Sequence, residues 1–451
     1  MDRWRRRMPG IIAVLGVASC QPPQFRCNDD RQCTSDQGMG RCEPQGYCSF
    51  PREDCTSGWA FEAYAADGLA GQCVLEAGNS SSTSTESPMP SIPSTSGVAS
   101  TPGADSGEST AGDPGDPWFD CSFSTRYRLK LSGVRGGTQL GEFELLVTLT
   151  PDRVDLDELG LVGSALCFVT RDGMPLAWEV DSVEPEQVLV WVTVGSLARG
   201  EVFYLYTGGD TKACAAPPIW ANNDYVGVYH LGEPVVDGSA AGNDPKVVSS
   251  TLVPGFIGDA REYDDDSDQV LLPPSPSLTG IFAGGGTIIA WVQPAVDTGE
   301  RRIVERADSG QGRNGFIFLV HETRLELRRG GEGDNGRWGS DADLEIGTWH
   351  HVAVVFDDDD PDAGASFWLD GVATGSMEFA PLVGGVEIDP TLETRLGRAP
   401  PELGNLEGRL DEVRLSTVAR SGEWIEHQVL SDVDALLDYG PAEASTCSGE
   451  G

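Results

Sequence analysis

Thr348-Trp349-His350-His351-Val352-Ala353-Val354-Val355-Phe356, an acidic loop, and Ala365-Ser366-Phe367-Trp368-Leu369-Asp370-Gly371 form the stretch on which the fold turns. The first half is β-branched and aromatic and short enough for one strand; the second is another strand closing on Asp-Gly, a pair that accepts positive φ in a tight hairpin turn. Between them Asp357-Asp358-Asp359-Asp360-Pro361-Asp362-Ala363-Gly364 is too charged to bury. Strand alternation places Trp349, His351, Ala353 and Val355 on one face and His350, Val352, Val354 and Phe356 on the other. Both faces are mostly apolar, which predicts a central strand of a two-sheet sandwich.

With Gly286 to Pro294 (GTIIAWVQP) before it and Thr394 to Ile425 (TRLGRAP…LEGRLDEVRLSTVARSGEWI) after it, the hairpin resembles the laminin-G-like, concanavalin A-like jelly rolls of bacterial surface proteins. The resemblance covers residues 224–440 and implies a fold and a habit of binding rather than an activity. The laminin-G-like relatives often carry calcium at a loop rim. Asp264-Asp265-Asp266 with Asp268, and Asp357 to Asp360 with Asp362, offer the oxygen ligands calcium prefers, although adjacent carboxylates also mark a solvated turn.

Outward from this block the chain is organised by composition. Its 451 residues carry a net charge of −40, which excludes nucleic acid and anionic membrane as electrostatic partners. Arg3, Arg5, Arg6 and Arg7 precede an apolar run, Ile11 to Ala18, too short to span a bilayer. Residues 1–19 therefore read as a signal peptide. Val17-Ala18-Ser19-Cys20 resembles the lipobox of bacterial lipoproteins, which implies lipidation of Cys20 and an anchor of lipid alone in the envelope, at the outer membrane or cell surface.

Residues 20–77 hold Cys27, Cys33, Cys42, Cys48, Cys55 and Cys73. Six cysteines at this density, without a CxxC pair or a histidine, predict three disulfides in an oxidising compartment rather than zinc; fifteen pairings are open. The pattern is similar to cysteine-rich leaders of myxobacterial lipoproteins. Residues 78–117 are Ser, Thr, Pro, Gly and Asp and predict a disordered tether, about 35 Å end to end from about 5–6 Å × √n. Residues 118–212 alternate as short strands (RYRLKL, FELLVTL, LCFVT, VLVWVTV, VFYLY) and predict a small β-sandwich. This block, with Val226 to Glu233 (VGVYHLGE) as its junction, resembles an uncharacterised extracellular β-domain that often precedes a laminin-G-like module. Residues 441–451 read as a tail. Of the remaining cysteines, Cys121, Cys167, Cys214 and Cys447, two disulfides are plausible; Cys447 can tie the tail to the body, and Cys167 reads equally as a buried thiol.

The fold class is therefore all-β, a small sandwich followed by a jelly roll. Catalytic motifs are absent: no HExxH, no GxSxG elbow and no nucleotide fingerprint. His350 and His351 point to opposite faces of one strand and read as core histidines, not as ligands of one metal. Glu179-Val180-Asp181-Ser182-Val183-Glu184 matches the Glu-x-Asp-x-x-Glu string of retaining jelly-roll glucanases, but lies outside the jelly roll, and Pro185 should end its strand. Asp411 in GRLDEVRLST reads as a structural acceptor, and neither it nor Glu412 as a catalyst. The expectation is a non-enzymatic, lipid-anchored protein that recognises a polysaccharide or protein. A structural envelope component is the alternative and a glycoside hydrolase the third. A groove lined by Trp291, Trp338 or Trp368 would favour glycan binding, a face blocked by the sandwich the structural role, and carboxylates at contact distance the enzyme.

Overall fold

The computed structural model describes residues 116–445 and Cys447, except 161–164, 210–213, 215–217, 222–223, 266, 309 and 399–404, together with short pieces between residues 34 and 74. The chain divides into two compact units, residues 1–103 and 104–451.

In the first unit Arg41–Cys42, Cys48–Pro51 and Trp59–Phe61 form a three-stranded antiparallel sheet. Cys48 is buried and disulfide-bonded. Cys20, Cys27, Cys33, Cys55 and Cys73 lie outside the described residues, as do the signal peptide and most of the tether.

The second unit begins with the sandwich: β1 (Thr125–Leu131), β2 (Phe143–Leu149), β3 (Cys167–Thr170), β4 (Trp178–Glu184), β5 (Gln187–Val194) and β6 (Val202–Thr207). Then come β7 (Tyr225–Tyr229), β8 (Thr251–Pro254), β9 (Asp259–Tyr263), β10 (Val270–Leu272), β11 (Gly286–Pro294), β12 (Glu300–Arg306), β13 (Phe316–His321), β14 (Arg324–Arg329) and β15 (Gly336–Asp343). The chain closes with β16 (His350–Phe356), β17 (Ser366–Leu369), β18 (Ser376–Ala380), β19 (Thr394–Leu396), β20 (Gly408–Ser416), α1 (Gly422–Asp432) and β21 (Leu437–Ala444).

Two eight-stranded antiparallel sheets make the jelly roll. One runs β8-β9-β20-β11-β16-β17 and ends on Val372–Ala373, with β7 also paired to β20. The other starts at Val247–Val248 and runs β10-β19-β12-β13-β14-β15-β18. The hairpin behaves as its sequence predicts. β16 is central, between β11 and β17, and Asp370 and Gly371 both take positive φ (51° and 79°) in the turn. Val352, Val354 and Phe356 enter the core between the two sheets, and Ala353 and Val355 face the other way. The acidic loop is less solvated than expected: the Asp358 side chain is only 8% exposed, because Arg329 holds it through two hydrogen bonds of 2.8 and 2.6 Å.

The outward face of the first jelly-roll sheet is not free. Ile289, Ala353, Val355 and Trp368 belong to the same apolar cluster as Leu145, Val147, Val190 and Val192 of the sandwich. Helix α1 joins that layer. Ser421 caps it by accepting from Trp424 N, and Trp424, Ile425 and Leu430 bury against the sandwich. Sandwich and jelly roll therefore share a continuous apolar seam.

Two expectations change. The sandwich sheets are β4-β5-β2 and β21-β1-β6-β3, so the chain returns after the jelly roll to complete the sandwich. The boundary expected at residue 440 falls inside β21, paired with β1 from Leu437↔Leu131 to Ala444↔Thr125. The jelly roll is an insertion in the sandwich. Cys447 bonds to Cys121 just beyond that pairing, and Cys167 bonds to Cys214 rather than remaining a thiol.

Candidate functional site

The outward face of the second jelly-roll sheet carries the other chemistry. Strands β12 to β15 send Ile303, Val304, Phe318, Val320, Leu325, Leu327 and Trp338 to the core. The intervening positions are charged and answer one another. Arg302 Nη1 lies 2.7 Å from Glu300 Oε2, and Arg302 Nε donates to Glu305 Oε2 at 3.1 Å. Arg328 holds both oxygens of Glu300 with its two terminal nitrogens and donates Nε to Glu326 at 2.6 Å. Arg337 Nη2 donates to Glu326 at 2.7 Å and reaches His321 Nδ1 at 3.0 Å. Arg302, Glu305, Glu326 and Arg328 are buried, so their pairing is obligatory. Burial pushes Glu305 up to about 7 against the pull of Arg302, whereas Glu300, despite burial, is held below its usual range by Arg328 and Arg302.

The β15–β18 end of this face opens. His321 and Arg337 expose 35% and 34% of their side chains, and Phe379 is 52% exposed. The Phe379 ring lies where a Cβ on Gly339 would stand 2.6 Å away, and the Arg337 guanidinium sits 5.2 Å from its centroid. An exposed ring beside a fork of donors and a buried carboxylate suits a ligand with one apolar and one polar face.

A second cluster lies at the seam. Each contributing strand carries a β-bulge, which overrides alternation. In β4 the register slips between Val180 and Ser182, at Asp181; in β20 it slips opposite Ala290, where Glu412 takes φ 48°. Glu412 Oε1 lies 2.6 Å and Asp181 Oδ2 3.2 Å from His230 Nδ1, and Glu179 Oε1 is 3.2 Å from its Nε2. Arg414 donates to Glu412 Oε2 at 2.6 Å and stacks 4.1 Å over Trp191, whose Nε1 donates to Asp181 at 3.1 Å. Burial, reinforced by Glu412, raises Asp181 to about 7. Glu412 falls to about 2 because His230 and Arg414 outweigh its burial, and His230 is raised by Glu412 against its own burial.

The carboxylate string thus divides: Glu179 and Asp181 reach His230, while Glu184 is exposed at the strand end. The carboxylates brought together are Asp181 and Glu412, from two different domains. Asp411 accepts from Phe256 N and Ile257 N at 2.9 Å each, a structural role. His350 is satisfied by Asp370 (2.8 Å) and Glu345 N. His351, by contrast, is fully buried with neither ring nitrogen hydrogen-bonded, and burial lowers it to about 3. His427 bonds Arg135 N and the Glu423 carbonyl. Sequence reasoning did not single out His230; its only signal was its place in the junction VGVYHLGE.

The aromatics expected in a groove are elsewhere. Trp291 is buried at the seam, stacked on Phe256 and donating to Asp432; Trp338 is in the jelly-roll core; Trp368 packs toward the sandwich. The acidic loops use their carboxylates locally. Asp268 accepts from Asp264 N and Asp265 N, Asp265 from Ser267, and Asp357 from Asp359 N. Among the described residues, no helix is long and apolar enough to cross a membrane.

Residues 264–426 match the family model described as the concanavalin A-like lectin/glucanases superfamily, of laminin-G type. No curated protein matches the chain. Similar solved structures include the binding domain of Paraclostridial Mosquitocidal Protein 1, with 15% identity, 46% of this chain and 52% of that one covered, and TM-score 0.38. The binding domain of botulinum neurotoxin DC in complex with SialylT is similar at 10% identity, 47% and 52% coverage, and TM-score 0.36. The chain spans about half the length of each. The matched stretch, residues 264–426, lies within the jelly roll inserted between β6 and β21.

Proposed function

We propose that the protein is a non-enzymatic binding protein, held to a bacterial envelope by a lipid on Cys20, and that the Phe379 end of the second sheet receives an extracellular saccharide. The observation that carries the reading is Phe379 itself. It is the one aromatic among the large apolar side chains exposed in the described residues, and it lies against Arg337, which itself holds Glu326 and reaches His321. A sugar presents an apolar ring face to an aromatic and hydroxyls to planar donors and acceptors. The non-enzymatic part rests on pairing and burial: Glu300 is held by Arg302 and Arg328, and Glu305 and Glu326 are buried beside arginines, so none is presented to a substrate as nucleophile or proton donor.

The envelope-component reading has one observation in its favour, the covering of the first sheet by the sandwich. A glycan screen with the intact chain, alongside Phe379→Ala and Arg337→Gln, separates the two. Binding lost in both variants supports recognition at this face; no binding by the wild type, or binding unchanged in both, removes it. Reducing-end release from any glycan bound would make the protein an enzyme. In cells, Cys20→Ser should leave the membrane fraction, and unchanged partitioning would refute the anchor.

A further inference from the structure

The cluster at the seam has more carboxylate than its cations use. Asp181, Glu412 and Glu179 surround one imidazole, and Arg414 is spent on the far oxygen of Glu412. Beside them Asp411 Oδ1 is buried without a hydrogen-bond partner, and both Glu412 and Asp181 act on that carboxyl. An ion-pair lock between two domains needs neither the third carboxylate nor an orphaned oxygen, since each costs desolvation.

One atom each from Asp181, His230 and Glu412 lies within 4.8 Å of the others, and among the described residues this is the group of ligand-type side chains with such spacing. We propose that the seam binds a divalent transition ion of the zinc or manganese class through His230 Nδ1, Glu412 Oε1 and Asp181 Oδ2, with Glu179 at the solvent edge. One imidazole and two carboxylates form a borderline donor set, better suited to zinc or manganese than to calcium, which prefers oxygen alone. The surrounding groups are those that orient metal ligands: Trp191 Nε1 donates to Asp181, and Arg414 fixes Glu412. Two ligands about 2.0 Å from a tetrahedral ion stand roughly 3.3 Å apart. Asp181 already has that spacing from His230, and Glu412 must open by several tenths of an ångström from its 2.6 Å contact. Because Asp181 comes from the sandwich and the other two from the jelly-roll side, the ion would clasp the two domains.

The test uses the intact chain carrying Cys20→Ser, so that this thiol does not compete, stripped with chelator and titrated with Zn²⁺, Mn²⁺, Ca²⁺ and Co²⁺. The expected result is one Zn²⁺ per chain, a raised Tm, a visible d–d band with Co²⁺, and at least tenfold weaker binding of Ca²⁺. His230→Gln and Asp181→Asn should each weaken Zn²⁺ at least tenfold; His321→Gln, on the jelly-roll face, should not. The Co²⁺ band of the parent chain is decisive even where a variant misfolds. Its absence, or binding that survives His230→Gln and Asp181→Asn, or that disappears in His321→Gln, overturns the proposal.

Discussion

The two sheets of the jelly roll share one core and differ in what they turn outward. The first presents Ile289, Ala353, Val355 and Trp368, and the second presents Arg302, Glu305, Glu326, Arg328 and Arg337. Both sets sit on strands of the same period, so inward residues alone decide that a jelly roll forms. Outward residues decide what each face meets. An apolar face in water demands a second layer, and here the sandwich supplies it. A charged face must be answered by its own neighbours, and the Glu300–Arg302–Glu305–Arg328–Glu326–Arg337 series does this within one sheet.

The comparison breaks most sharply at Ala353, which is wholly buried between sheet and sandwich. Ala353→Asp places a carboxyl in that seam with no cation provided for it. A loss of about 3–5 kcal/mol is expected, read as a lower urea midpoint. A loss below about 1 kcal/mol would mean that the seam is not the packed layer described, and that the first sheet is as open as the second.

A smaller effect distinguishes the faces by pH. His351 faces the seam with a folded pKa lowered from 6.5 to about 3, while Glu305 faces outward with one raised from 4.5 to about 7. Below pH 6.5 the unfolded chain protonates His351 and the folded chain does not, so stability falls as pH drops from 6.5 toward 3. Between pH 4.5 and 7 the unfolded chain releases the Glu305 proton while the folded chain keeps it, so stability falls as pH rises across that window. Each slope is at most about 1.4 kcal/mol per pH unit. Subtracting the wild-type curve of urea midpoints from those of His351→Leu and Glu305→Gln should give differences whose pH slopes are opposite in sign. Two flat differences would show that neither group titrates as its burial implies.

How much of this was legible follows from where partners lie along the chain. The β16–β17 hairpin was readable because its alternation and its Asp370-Gly371 turn are local. β21 was not: Leu-Asp-Tyr-Gly-Pro-Ala-Glu-Ala carries little strand pattern, and its partner β1 lies some three hundred residues earlier. The seam cluster was half visible. Glu179 and Asp181 stood out as a carboxylate string, but His230 and Glu412 come from the junction and from β20. The bulges that bring them together reverse the alternation from which side-chain direction is read.

The smallest effect on stability is expected where the largest effect on binding is proposed. Phe379 is 52% exposed on β18, at the end of the second sheet, and touches Arg337 by its face rather than filling the core. Truncating it removes little buried area, and Arg337 keeps its hydrogen bond to Glu326, so Phe379→Ala should change stability by less than about 0.5 kcal/mol. Trp338, two strand positions away from Gly336 on β15, is its opposite: wholly inside the jelly-roll core, where Trp338→Ala should cost about 3–5 kcal/mol. If Phe379→Ala proves costly to stability, the ring is part of the packing and its exposure has no bearing on recognition. If it is silent in unfolding and abolishes glycan binding, the charged sheet differs from the covered one in function as well as in chemistry. An exposed phenyl ring in water is tolerated at a single position without any partner, so only the combination of the two measurements carries that conclusion.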